Sequence, residues 1–234
     1  DAGTAGGATS VTVNNLAPTL SGVTLSAATV DEGGSVTVTG SILDAGVNDT
    51  HTVDIDWGDG TTSTAAVDQV AGTFTADHTY LDDDPTGTAS DVSAIAITVT
   101  DDDTGAVSDT TSVTVNNLAP VVAAISGPAQ AVRGQALTYT GSFTDAGVND
   151  THTLLFEVRD AANNVVASST TGEITSVARE LGTHTVSLTV TDDDTGVGSN
   201  SAATTVASFT VVADPVNPGE TALLVGGGEN NDRI

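Results

Sequence analysis

The sequence predicts an all-β chain built from two consecutive antiparallel β-sandwiches. Three observations carry that expectation: apolar residues alternate with Thr, Ser and Asp at a period of two, no long segment has helical spacing, and blocks of sequence recur about one domain length apart. The alternation is clear in Val36-Thr37-Val38-Thr39, in Ile95-Ala96-Ile97-Thr98-Val99 and in Val186-Ser187-Leu188-Thr189-Val190. Successive side chains of a strand point to opposite faces, so each run buries one set and leaves the other in water. Val, Ile and Thr dominate and turn residues interrupt at short intervals, which suits a sandwich of about seven strands per module.

The repeats set the domain organisation. VTVNNLAP begins at Val11 and again at Val113, 102 residues on. TGSILDAGVNDTHT from Thr39 and TGSFTDAGVNDTHT from Thr140 are 101 residues apart, whereas TVTDDDTGAVSD from Thr98 and TVTDDDTGVGSN from Thr189 are 91 apart. The second copy has therefore lost 10 residues, which correspond to the acidic loop LDDDPTGTASD after Tyr80 of the first. These registers divide the chain into residues 1–15, the last strand of a preceding repeat; 16–117, a first sandwich; 118–213, a second and divergent one; and 214–234, a Pro/Gly linker followed by the start of something new. On this reading the parent protein extends upstream, and the strand from Thr9 to Val13 exposes backbone that a neighbouring chain could pair with.

Each DTHT segment leads into a strand with an apolar face. Val53, Ile55 and Trp57 fall on one side and Asp54 and Asp56 on the other; in the second copy Leu154, Phe156 and Val158 take the inward places. Trp57 is therefore expected in the core, with the glycines after it forming a tight turn.

Composition excludes several functions. The 234 residues carry 31 Asp and Glu against 4 Lys and Arg, a net charge of -27 that repels nucleic-acid backbones and anionic lipid surfaces. Arg133, Arg159, Arg179 and Arg233 are too few to pair the carboxylates, so the folded chain needs dispersed surface charge or bound cations. There is no cysteine, hence no disulfide staple and no thiolate metal site. No run of about 18 apolar residues is present, and DAGTAGGATS has neither the basic segment nor the apolar run of an export signal.

Trp57-Gly58-Asp59-Gly60, preceded by DTHTVDID and followed by GTFTADHTY and ITVTDDD, resembles the PKD (polycystic kidney disease) domain family. The resemblance implies an immunoglobulin-like sandwich of the kind used as spacers in bacterial adhesins and as accessory modules of secreted hydrolases. The second repeat departs from the pattern: WGDG becomes Val158-Arg159-Asp160-Ala161, and HTY becomes Ala178-Arg179-Glu180, so its likeness rests on DAGVNDTHT and TVTDDDTG. GGGENNDRI, from Gly226, resembles one imperfect copy of the nonapeptide calcium repeat of RTX proteins.

In such a sandwich the loop after the second strand and the last hairpin loop lie at the end where the linker enters. Three acidic or amide-bearing segments then converge. In the first repeat they are Asn14 and Asn15; Asp44, Asn48 and Asp49; and Asp101, Asp102 and Asp103. In the second they are Asn116 and Asn117; Asp145, Asn149 and Asp150; and Asp192, Asp193 and Asp194. Calcium takes six to eight oxygens from carboxylates, amides and backbone, and this inventory suits it. Another cluster, Glu32, Asp59 and Asp82-Asp83-Asp84, is placed at the opposite pole of the first module, facing the second, where ordinary solvation is favoured over a share in the joint between the modules. His51, His78, His152 and His184 are read as structural.

These expectations assemble into a calcium-stabilised structural or adhesive stalk of a large extracellular bacterial surface protein or filament, with no catalytic site. Its partners are neighbouring repeats of the same chain and, in a filament or surface layer, identical chains. The alternative is a carbohydrate-binding accessory module of a secreted hydrolase, which needs exposed aromatics; aromatic content is 3%. An Asp-based hydrolase would need paired carboxylates in a pocket, whereas these occupy loop tips.

Overall fold

The structure, a computed structural model, describes residues 9–83, 85–213, 216 and 221–225, and among these every regular element is a strand. The chain forms two compact units. One comprises residues 9–30, 34–80 and 92–115; the other comprises 31–33, 81–91 and 116–225, so far as these are described. Residues 31–33 and 81–91 therefore interrupt the first sandwich in sequence but belong to the second unit.

The first sandwich contains β1 (Thr19–Leu25), β2 (Thr29–Asp31), β3 (Ser35–Leu43), β4 (His51–Asp56), β5 (Thr62–Thr64), β6 (Ala66–Asp68), β7 (Thr73–Thr79), β8 (Ser90–Asp101) and β9 (Ala106–Asn116). Its sheets run β1-β3-β7-β6 and β2-β9-β8-β4-β5, the strand order of an immunoglobulin-like sandwich. Alternation explains the packing. Val36 and Val38 of β3 and Phe74 of β7 meet Val53 and Ile55 of β4, Ile95, Ile97 and Val99 of β8, and Val113 and Val115 of β9 in one buried cluster. Trp57, at the end of β4, is fully buried, donates from Nε1 to Ser63 Oγ at 2.9 Å, and accepts the Tyr80 hydroxyl on its carbonyl at 2.9 Å. Gly58, at φ 82°, lies so close to the Ala94 backbone that a Cβ would not fit, which is why the turn after the indole requires glycine.

The second sandwich repeats the plan with β10 (Val121–Val122), β11 (Gln130–Val132), β12 (Ala136–Thr140), β13 (Phe143–Thr144), β14 (His152–Arg159), β15 (Val165–Ser169), β16 (Glu173–Val177), β17 (Gly182–Asp192) and β18 (Val197–Ala207). One sheet runs β11-β18-β17-β14-β15, with β11 parallel to β18; the other face is made of the pairs β10-β13 and β12-β16. Phe156 and Val158 are buried with Leu137, Tyr139, Val186, Leu188 and Val190. Phe156 pairs with Leu188 across β14 and β17, as Ile55 pairs with Ile97 across β4 and β8.

Two segments differ from the sequence expectation. Thr9 to Val13 is in no strand and is exposed, Val11 at 86% and Val13 at 89%; a strand needs a hydrogen-bonding neighbour, and none of the described strands pairs with it. TALLV is β20 (Thr221–Val225) and pairs antiparallel with β19 (Phe209–Ala213), Val211 opposite Leu223. GGGENNDRI lies outside the described residues, as does most of the linker before TALLV.

Candidate metal centre

The repeated loops fold onto the same frame in both copies. Asp101 and Asp192 close the DDDTG turns: the Gly105 and Gly196 amides donate to their Oδ1 atoms at 2.7 and 2.6 Å. Their Oδ2 atoms accept from the side-chain amides of Asn15 and Asn117 at 2.9 and 3.1 Å, which brings the linker to the hairpin. Asp102 and Asp193 accept the amides of Thr50 and Thr151 at 3.0 and 2.7 Å, joining the hairpin to the loop before β4 or β14. Asp44 and Asp145 sit 3.1 and 2.7 Å from Nε2 of His51 and His152. The three sequence segments thus converge in each repeat, and these four pairs of residues are the struts that hold them together.

The remaining sequence-predicted residues divide between the copies. Asn14, Asn48 and Asp103 of the first repeat are exposed. Asp44, Asp49 and Asp101 each present one oxygen within 4.8 Å of the other two, and burial followed by the charges of Asp44, Asp102, Asp103 and Asp101 raises the Asp49 carboxyl. In the second repeat Asn116 turns to Asp31, donating at 3.1 Å, and its carbonyl accepts the Glu32 amide at 2.9 Å. Asn149 donates its backbone amide to Asp82 Oδ2 at 2.9 Å. Asp194, unlike Asp103 in the same DDDTG sequence, is 6% exposed.

That difference comes from residues the sequence reading set aside. Segment 81–91 packs on the second repeat's loops: the Leu81 carbonyl accepts the Val148 amide at 3.2 Å, the Ala89 carbonyl accepts the Asn117 amide at 3.2 Å, and Gly87 lies against the Asp193 carbonyl. Residue 32 enters from the other side, its Oε1 accepting the Leu118 amide at 2.8 Å. Asp82, Asp83 and Glu32 are thereby buried at 9%, 0% and 3% exposure. Asp84 lies outside the described residues, and Asp59 stands apart, bonded to His78 at 2.6 Å.

The centre so formed buries carboxylate oxygens that no described group of the protein bonds. Glu32 Oε2, Asp82 Oδ1, both oxygens of Asp83, both of Asp150 and Asn117 Oδ1 are buried and accept no hydrogen bond. A buried polar atom left unpaired costs about 1–3 kcal/mol, and an unpaired buried charge more. Burial, opposed by the Leu118 amide and reinforced by Asp150, Asp145 and Asp83, pushes Glu32 up to about 7. Burial and then the charges of Asp194 and Asp82 push Asp83 up to about 7; burial and then Asp82, Asp145 and Asp194 push Asp150 up to about 6. The neighbouring strut Asp193 moves the other way, held below the ordinary carboxylate range by the Thr151 amide.

A hard divalent cation answers each of these features. Glu32, Asp82 and Asp150 form one set of oxygens within 4.8 Å of one another; Asp82, Asp83 and Asp194 form a second; Asp150, Asp193 and Asp194 a third. The donors of these three sets are carboxylate oxygens; a further set, Asp145, Asp150 and His152, adds one imidazole nitrogen, so hard oxygen donors predominate, as calcium prefers. The sequence signal for these buried carboxylates was present: LDDDP occurs only in the first repeat, and Glu32 is replaced by Arg133 in the second, beside glycines that both have positive φ, Gly33 and Gly134.

The PKD domain family matches residues 117–208, the repeat that lacks WGDG. No curated protein matches the chain. Among solved structures, the tetra-tandem repeat in the extending region of a large adhesion protein is 21% identical with a TM-score of 0.43, covering 84% of this chain and 51% of that one. The Yersinia pseudotuberculosis adhesin InvE is 16% identical with a TM-score of 0.35, covering 89% of this chain and 62% of that one. The fibronectin(III)-like modules of Clostridium thermocellum CbhA are 19% identical with a TM-score of 0.32, covering 79% and 93%. The chain thus spans about half to three fifths of the two adhesin structures. No helix among the described residues is long and apolar enough to cross a membrane. Residues 117–208 are thus similar to the PKD domain family, and they fold as an all-β immunoglobulin-like sandwich.

Proposed function

We propose that the chain is a non-catalytic, calcium-stabilised stalk segment of an extracellular bacterial surface protein, and that calcium sets the course of the chain from one repeat to the next. The observation that carries this reading is the set of buried carboxylate oxygens of Glu32, Asp82, Asp83 and Asp150 that have no partner. Calcium bound by Glu32, Asp82, Asp83, Asp150, Asp194 and the Asn117 amide oxygen would supply the missing positive charge. It would tie the segments that interrupt the first sandwich, 31–33 and 81–91, to the loops of the second. The second unit would then be held together without any disulfide, using an ion abundant outside cells. Identical chains in a filament or surface layer, and neighbouring repeats, are the partners such a stalk would have. The carbohydrate-binding alternative is less well supported, because Trp57 and Tyr139 are buried and unavailable for stacking.

Calorimetric melting of the chain with calcium and with chelator tests the reading. At a hundredfold excess over the dissociation constant, binding to the folded state alone adds about 2.7 kcal/mol, or roughly 10 °C for a domain near 100 residues. Identical melting curves in both conditions would rule the reading out.

A further inference from the structure

The acidic centre of the second unit is larger than one ion can use. Calcium holds its oxygens at about 2.3–2.6 Å, so the ligands of one ion all lie within about 5 Å of each other. Glu32, Asp82 and Asp150 satisfy that limit as one set and Asp82, Asp83 and Asp194 as another. The sets interlock through Asp82, while Glu32 and Asp83 each belong to one set only. Asp150, with both oxygens unpartnered, reaches a third set with Asp193 and Asp194.

Resting on the calcium reading above, we propose that this centre takes two divalent cations, one among Glu32, Asp82 and Asp150 and the other among Asp82, Asp83 and Asp194, with Asp82 bridging them. Charge points the same way. Glu32, Asp82, Asp83 and Asp150 alone bring four carboxylates to one place; one divalent ion would offset two negative charges and two would offset four. The charges that act most on Glu32, Asp83 and Asp150 are those of further carboxylates. Asp82 suits the bridging place: Oδ2 is anchored by the Asn149 amide while Oδ1, buried, accepts nothing from the protein. The two ends come from different segments, Glu32 from the β2–β3 turn and Asp83 from the β7–β8 loop, so each ion would fasten a separate piece of chain to the same loops.

The test is a calcium count by native mass spectrometry and titration calorimetry on the whole chain, compared among Glu32→Gln, Asp83→Asn, the double variant and Asp82→Asn, with circular dichroism confirming that each folds. Differences from the parent remove any contribution of the first repeat. Two ions predict that each single end variant loses one bound calcium, while the double variant and Asp82→Asn lose two. A loss of one ion in every variant, the double included, would overturn the binuclear arrangement and leave a single calcium site. Unchanged counts in all four would overturn the calcium reading itself.

Discussion

Asp83→Asn should change the sign of its effect with the metal. Asp83 has no exposed surface, neither carboxylate oxygen has a hydrogen-bond partner, and burial with the charges of Asp194 and Asp82 works against its ionised form. Without metal the substitution removes a buried like charge and leaves a neutral amide of the same shape, itself imperfectly bonded. An unsatisfied buried group costs about 1–3 kcal/mol and an unpaired charge exceeds that, so the net gain is about 1–2 kcal/mol. For a domain near 100 residues this raises the melting temperature in chelator by roughly 4–10 °C. With calcium saturating, the same change removes a charged ligand, and the variant melts below the parent. The assay is scanning calorimetry of both proteins near pH 7.5 in chelator and in excess calcium. A shift of the same sign in the two conditions would refute the reasoning, since a merely structural carboxylate has no cause to reverse.

Three further outcomes follow from the geometry. Gly147→Ala alters no charge, yet the Asp150 carboxylate occupies the space a Cβ at residue 147 needs; the variant should fold and bind calcium about tenfold or more weakly by calorimetry, a loss of about 1.4 kcal/mol, and unchanged affinity would mean that Asp150 is not a ligand. In chelator, the stability of the second unit should fall as pH rises from about 5 to 7. Glu32, Asp83 and Asp150 have folded values of about 7, 7 and 6, above the ordinary 4.5 and 3.8, so their contribution is full below the unfolded value and lost as pH passes the folded one; calcium should abolish that decline, and a metal-free melting temperature that climbs over this window would contradict the assignment. Thr104 sits at φ 73° in the first DDDTG turn, a conformation disfavoured for β-branched residues, so Thr104→Asn should stabilise the first unit by about 1 kcal/mol in urea unfolding. A destabilised variant would show that the threonine side chain has a role there.

Much of this was legible in the sequence because it is local. Period-two alternation located β3, β4, β8 and β17, and the inward places of Val53, Ile55, Trp57, Phe156 and Val158 followed from it. The convergence of linker, DAGVND and DDDTG segments was also legible, since sandwich topology brings those loops to one end. What could not be read was the division of labour within them. Asp101, Asp102 and Asp44 are ligands by type, yet each also accepts hydrogen bonds from backbone amides, Asn15 or His51; a string of aspartates does not reveal which ones cap turns as well. Nor does any pattern say which sandwich a long loop joins. For Glu32, Asp82 and Asp83 the sequence favoured solvation at the pole facing the second module over a part in the joint, whereas segments 31–33 and 81–91 bury them in the second unit.

The asymmetry has a consequence along the chain. The second repeat has Arg133 where the first has Glu32 and lacks a counterpart of loop 81–91, so it does not offer the same acidic set to whatever follows it.

The most direct test is a crystal structure grown with millimolar calcium and measured for anomalous signal. The account predicts anomalous peaks among Glu32, Asp82, Asp83, Asp150 and Asp194, at oxygen distances of about 2.3–2.6 Å. Those carboxylates turned out to solvent, or surrounded by water alone with no anomalous density, would contradict it.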